Sequence, residues 1–116
     1  MSAADFRMDS RRLELTRSTT GDGAICLTVG GEVDIGTVNE LREAVTGILD
    51  EPGVVRLLLD FAPLRFLDSS GIAALVGAYR TAEGRGVSFA VVNCYGTVRH
   101  VLEVTGVYEV LAPDAV

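Results

Sequence analysis

Apolar and polar residues change their period several times along this chain, and each change marks an element. Ile25, Leu27 and Val29 alternate with Ala24, Cys26 and Thr28, the two-residue repeat of a strand with one face in a core. Leu13 and Leu15, with polar alternates, predict a strand over 13–18. Thr-Thr-Gly-Asp-Gly at 19–23 supplies the turn that joins the two as a hairpin. Val38, Leu41, Val45, Ile48 and Leu49 then recur at helical spacing and predict a helix over 38–50. Thr37 and Glu40 read as its capping box, and Pro52-Gly53 stops it. Residues 54–61 are almost continuously apolar, which suits a central strand covered on both faces. A loop containing Pro63 leads to a second helix at about 70–83, marked by Ile72, Leu75, Val76 and Tyr79 and ended by Gly84 and Gly86. Residues 87–92 predict another strand. Thr97 caps a third helix with Val98, Val101 and Leu102 on one face. Gly106 stands where a left-handed C-terminal residue is wanted, and Val107 can pack back to close the cap. Tyr108, Val110 and Leu111 leave two outcomes open, a short last strand or a turn before Pro113.

The order is β-β-α-β-α-β-α. A hairpin followed by βα units predicts an α/β fold: a single domain with a mixed four- to five-stranded sheet packed against helices. Residues 1–12 are polar and arginine-bearing and read as a flexible tail, with the domain over 13–116. The 116 residues, 48% of them hydrophobic, are enough for one core. No apolar run approaches the roughly 18–20 residues that cross a bilayer. The N-terminus lacks the apolar block of a signal peptide, so the expected location is cytoplasmic. A net charge of −6 argues against direct nucleic-acid binding. Cys26, Cys94 and His100 do not make a zinc site, and the cysteines read as small buried hydrophobes in a reducing compartment. No cofactor is implied.

The candidate chemistry is concentrated in Asp68-Ser69-Ser70-Gly71, where an apolar segment meets a helix start. Asp and Ser favour the N-cap, where a side-chain oxygen accepts from the open N–H groups of the first turn. One residue suffices for a cap, however, and here are three, followed by a glycine that would leave the serines open to a visiting protein or nucleotide. A nucleophile is the second reading. It lacks the Gly-x-Ser-x-Gly elbow, because Leu67 stands two before Ser69 and Asp68 two before Ser70. Its sole imidazole, His100, sits on the third helix, at what reads as a surface position. Phosphorylation is the third reading. A helix N-terminus tolerates the added charge of about −1.5 to −2, so the fold survives while the surface changes. Asp34, at the end of a neighbouring strand, borders the same patch or simply caps the next helix. Gly30, Gly31 and Gly36 read as turn formers, with no phosphate-cradling pattern.

Asp68-Ser69-Ser70-Gly71-Ile72 resembles the serine motif of the anti-sigma factor antagonists, which are bacterial STAS domains. Gly31-Glu32-Val33-Asp34 resembles their Gly-Glu-Leu-Asp motif, with valine in place of leucine. The likeness spans about residues 13–112. It implies a non-enzymatic regulator that binds an anti-sigma factor serine kinase of the histidine-kinase-like ATPase fold and so frees a sigma factor. Phosphorylation on Ser69 would switch binding off, and a PP2C-type phosphatase would reset it. By that resemblance Ser69 is the acceptor, Asp34 and Asp68 shape the docking surface, and Ser70 and Gly71 complete it. The competing readings are a STAS scaffold or lipid-transport accessory protein whose serines only cap a helix, and a serine hydrolase.

Overall fold

The structure, a computed structural model, describes residues 12–112 and the backbone of residues 6–9. The hairpin forms as its pattern predicts: β2 (Leu13–Gly21) pairs antiparallel with β3 (Ala24–Val33), with Leu15 opposite Val29. Both strands outrun the alternation that announces them. A further strand, β1 (Phe6–Asp9), lies antiparallel along β2. Residues 6–9, expected within a flexible tail, are therefore part of the sheet. The rest of that expected tail up to residue 11, and residues 113–116, lie outside the described residues.

After the hairpin come α1 (Val38–Leu49), β4 (Arg56–Asp60), β5 (Leu64–Leu67), α2 (Ser69–Gly84), β6 (Ser88–Val92), α3 (Gly96–Val104) and α4 (Tyr108–Leu111). The sheet is mixed, in the order β1-β2-β3-β4-β6, with β5 paired to β3. The long β3 is shared along one edge. Its first half, Ala24–Thr28, takes β4 in parallel; its last residues, Gly31–Val33, take β5 in parallel. β5 is the strand that periodicity does not announce. Its burial runs Leu64 in, Arg65 and Phe66 out, Leu67 in, and β3 is irregular between Gly31 and Glu32, so no two-residue alternation is left to read.

One sheet face carries the core. Leu13, Leu15, Ile25, Leu27, Val29, Leu57, Leu59, Phe89 and Val91 are buried there against α1 and α2 residues such as Leu41, Val45, Ile48 and Leu75. Each such side chain contributes about 1.5–3 kcal/mol on burial. β4 does sit centrally, between β3 and β6. It is not covered on both faces as expected: Leu57 and Leu59 are buried, while Leu58 and Asp60 are half-buried and Arg56 is exposed. Arg17 continues the inward row of Leu13 and Leu15 and is buried at 5% exposure. It is tolerated because its guanidinium reaches the end of α1 and pairs with both oxygens of Glu51, Nη2 to Oε1 at 2.7 Å. Arg85, just past α2, donates to Leu49 O at 3.0 Å and pairs with Asp50, supplying the cation that the last turn of α1 lacks.

The helix ends show which local signals carried. At the end of α3, Gly106 has φ +79°. Its N–H bonds to Glu103 O and that of Val107 bonds to Leu102 O, the double-bonded left-handed cap that the sequence predicts. Two N-terminal assignments differ. Thr97 lies inside α3, whose cap residue is Tyr95, with no side-chain cap bond. Thr37 precedes α1 but makes no capping-box bond; its hydroxyl is drawn to Glu32 and Asp34 instead. Tyr108, Val110 and Leu111 belong to a single helical turn, α4, rather than to a strand.

Candidate functional site

The two motifs meet because β5 exists. Val33 faces Leu67 in parallel register, and the Asp68 N–H bonds to Val33 O at 3.3 Å. Asp34 and Asp68 are the next residues after this pair, so the two acids leave adjacent strands at the same end of the sheet. Parallel strands lie about 4.8 Å apart, and that spacing sets their backbone separation.

Asp68 is the N-cap of α2, in extended conformation at φ −113°. Its Oδ1 accepts from the Ser70 N–H at 3.0 Å and the Gly71 N–H at 3.4 Å. It also accepts from the Ser70 hydroxyl at 2.5 Å. The capping expectation thus falls on Asp68, and Ser70 is spent within the cap. Ser69 is different. It is the first residue of α2, it is exposed, and no hydrogen bond among the described residues engages its hydroxyl. Of the two adjacent serines, only one presents a free nucleophilic oxygen at a helix N-terminus.

Gly71 turns inward. It is buried, and a Cβ on it would collide with Leu67 Cδ1 and stand 2.9 Å from Val33 Cγ1. The glycine therefore seats the first turn of α2 on β3 and β5. It does not open the serines to a visitor, as the sequence suggested, and it is not a surface residue.

Asp34 occupies a turn held from several sides. The Thr37 hydroxyl donates to Glu32 O at 2.9 Å and accepts from the Asp34 N–H at 3.0 Å. Asp34 Oδ1 accepts from the Gly36 N–H at 2.9 Å, and Asp34 O accepts from the N–H groups of Thr37 and Val38. Arg12 pairs with Asp34 Oδ2 and stands 3.4 Å from Glu32 Oε1. The hydrogen bond from Arg12 holds the Asp34 carboxyl below the usual carboxylate range, with help from Gly36 and Thr37, while desolvation opposes the shift. Reciprocally, Asp34 raises the Arg12 guanidinium. Between these polar anchors the turn holds Ile35 81% exposed.

Sequence reasoning singled out neither Arg12 nor Ile35, and it gave Thr37 a different task. Arg12 carried no signal, because its partner is 22 residues away and it sat in a segment read as tail. A cavity of about 290 Å³ lies between α1 and α2, lined chiefly by Leu41, Val45, Leu49, Ala74, Leu75 and Ala78; the serines do not line it. His100 is exposed on α3. Cys94 is buried, its thiol pushed up to about 11 chiefly by desolvation; Cys26 is half-buried and raised for the same reason. Among the described residues no His/Cys/Asp/Glu cluster could hold a metal ion, and no helix is long and apolar enough to cross a membrane.

Residues 16–114 match the family model described as the STAS domain. The chain is similar to the anti-sigma F factor antagonist of Paenibacillus polymyxa, at 24% identity over 89 residues that cover 77% of this chain and 76% of the relative. It is similar in structure to an anti-sigma factor antagonist from Mycobacterium paratuberculosis. That match has a TM-score of 0.76 and 25% identity, and covers 87% of this chain and 83% of that one. It also resembles the anti-sigma factor antagonist SpoIIAA. The unphosphorylated form gives a TM-score of 0.74 at 24% identity, with 88% of each chain covered. The phosphorylated form, from Bacillus, gives 0.68 at 22%, with 88% of this chain and 91% of that one covered.

Proposed function

This chain belongs to the STAS domain family, and from that premise we propose that it is an anti-sigma factor antagonist switched by phosphorylation of Ser69. Unmodified, it binds an anti-sigma factor that is also a serine kinase, and a sigma factor is released. The kinase then moves the γ-phosphoryl group of ATP to Ser69 Oγ. The Oγ–P bond forms, the bond from Pγ to the bridging oxygen breaks, ADP leaves, and the hydroxyl proton passes to a base on the kinase. A PP2C-type phosphatase reverses this with water, releasing inorganic phosphate.

The observation that carries the reading is the contrast between the two serines. Ser69 is exposed and unengaged, whereas Ser70 donates to Asp68. Names of relatives support it: an anti-sigma F factor antagonist, and SpoIIAA in both unphosphorylated and phosphorylated forms. The geometry is compatible with a switch that needs no refolding. Asp68 already caps α2, and the helix N-terminus accommodates further negative charge. A phosphoryl group next to Asp34 and Asp68 concentrates like charge on one patch, and against a docked partner such conflict costs several kcal/mol.

The test is to incubate the chain with ATP and the histidine-kinase-like ATPases of its own genome and map the product by mass spectrometry. Phosphate on Ser69, absent in Ser69→Ala, is expected, as is loss of the kinase complex on modification. Transfer that persists in Ser69→Ala sinks the assignment of the acceptor. A partner complex indifferent to both Ser69→Ala and Ser69→Asp would instead favour the scaffold reading.

A further inference from the structure

Arg12 lies outside both motifs, yet it is built into the turn that carries Asp34. Its backbone oxygen accepts from the Glu32 N–H at 2.7 Å. Its guanidinium pairs with Asp34 Oδ2 and approaches Glu32 Oε1 at 3.4 Å. A Cβ on Gly36 would lie 2.5 Å from its Nη2, so the guanidinium rests against bare backbone. One arginine from the start of β2 thus faces two acids at the end of β3. Its side chain is 46% exposed, and ion pairs at such sites are worth little, so its pairing is open to competition.

The competitor would arise across β3, just past the end of β5. Ser69 is two residues beyond Leu67, which faces Val33, and Asp34 follows Val33 directly. The backbones of the Asp34 turn and of the α2 start are separated by about one strand spacing, ~4.8 Å. Arg12 stands on the other edge of β3, so its backbone is about two strand spacings, ~10 Å, from the α2 start, and its guanidinium, extended to Asp34, already covers part of that span. A phosphoryl group carries about −1.5 to −2 charge and three strong acceptor oxygens, against −1 and two oxygens on a carboxylate. Planar bidentate pairing with phosphate is the interaction to which a guanidinium is best suited.

We propose that Arg12 senses the state of Ser69: with the hydroxyl free it holds Asp34, and with a phosphoryl group on Ser69 it shifts its hydrogen bonds to the phosphoryl oxygens and leaves Asp34 unpaired. The inference rests on the reading of Ser69 as the modified residue and gives that reading a second component. Phosphorylation would add charge to the patch and also release a carboxylate whose position Arg12 had set. Glu32 on β3 shares the Arg12 guanidinium, and Asp68 at the cap of α2 is the acid next to Ser69 in the chain. Arg65, exposed on β5, is the neighbouring cation against which the role of Arg12 must be separated.

The experiment uses the full chain with phosphoserine placed at position 69 during translation, so no kinase is needed. Phosphorus NMR titration reads the second ionisation of the phosphate, ordinarily near pH 6. A unit charge about 5 Å away in a water-like medium shifts such an ionisation by roughly half a pH unit. Arg12→Gln should therefore raise it by about 0.5 unit, Arg12→Lys should recover most of the shift, and Arg65→Gln should leave it in place. The Asp34 carboxyl carbon should move on phosphoserine incorporation in the parent chain and stay still in Arg12→Gln. A shift below about 0.2 unit in Arg12→Gln, or a shift that follows Arg65 instead, overturns the inference. Because the phosphate is installed genetically, that failure would remove only the role of Arg12. Failure of the kinase to modify Ser69 would remove the underlying reading.

Discussion

Gly71→Ala separates an inward-facing glycine from one that merely clears space at the surface. Alanine in place of glycine ordinarily stabilises a helix by up to about 1 kcal/mol. Here the added methyl would meet Leu67 Cδ1 at clash distance and Val33 Cγ1 at 2.9 Å, both on buried strand residues. Overpacking of that kind costs about 1–3 kcal/mol. The clash outweighs the propensity gain, and a net loss of about 1 kcal/mol is expected. With a urea slope of about 1–3 kcal/mol/M, the midpoint should fall by about 0.5 M with the slope unchanged. A double-mutant cycle locates the cause. Leu67→Ala alone should cost about 2–5 kcal/mol, since Leu67 is 1% exposed. Combined with Gly71→Ala it should cost less than the two separately, because the new methyl then occupies part of the space vacated. A Gly71→Ala variant as stable as the parent or more so, or strict additivity in the cycle, would refute this packing of α2 on β3 and β5.

Other outcomes follow from the same contacts. Glu51→Gln leaves the buried Arg17 guanidinium with a neutral partner and should cost about 2 kcal/mol at neutral pH by denaturant titration. Arg17 depresses the Glu51 carboxyl, so its contribution is present above the ordinary unfolded carboxylate range near pH 4. It is lost as pH falls through the lower folded value, and the stabilities of parent and variant should converge in acid. Thr37→Val keeps the shape but removes the bonds to Glu32 O and Asp34 N; about 1–3 kcal/mol of lost stability is expected, whereas Thr37→Ser should be mild. With its thiol at about 11 and its side chain buried, Cys94 should resist alkylation at pH 8 in the native state, while the half-buried Cys26 reacts first. Equal rates in a mass-spectrometric time course would contradict that order.

The agreement between pattern and structure follows how local each signal is. Helix faces were legible because residues three and four apart share a face whatever lies beyond; Val38, Leu41, Val45, Ile48 and Leu49 are all buried on α1. The end of α3 was legible because a left-handed cap needs only Gly106 and the turn before it. Thr37 shows the limit. A threonine three before a glutamate carries the signature of a capping box, but a hydroxyl goes to whichever acceptor the fold brings nearest, here Glu32 O. The run 54–61 misled in the same way: apolar composition announces a central strand without saying how many of its faces will be covered.

The sequence by itself determined that a helix starts at Asp68-Ser69-Ser70-Gly71 and that a side chain of this group caps it. Both are properties of four consecutive residues and the period that follows them. Only the tertiary structure decided that Asp34 stands beside Asp68, that Gly71 faces inward, and that Arg12 closes the turn. Those facts depend on β5 pairing with β3 and on β2 lying along β3's other edge, contacts between segments some 20 to 35 residues apart. Such pairings are chosen by loop closure and by which faces can be buried together, and no window of local sequence contains that choice.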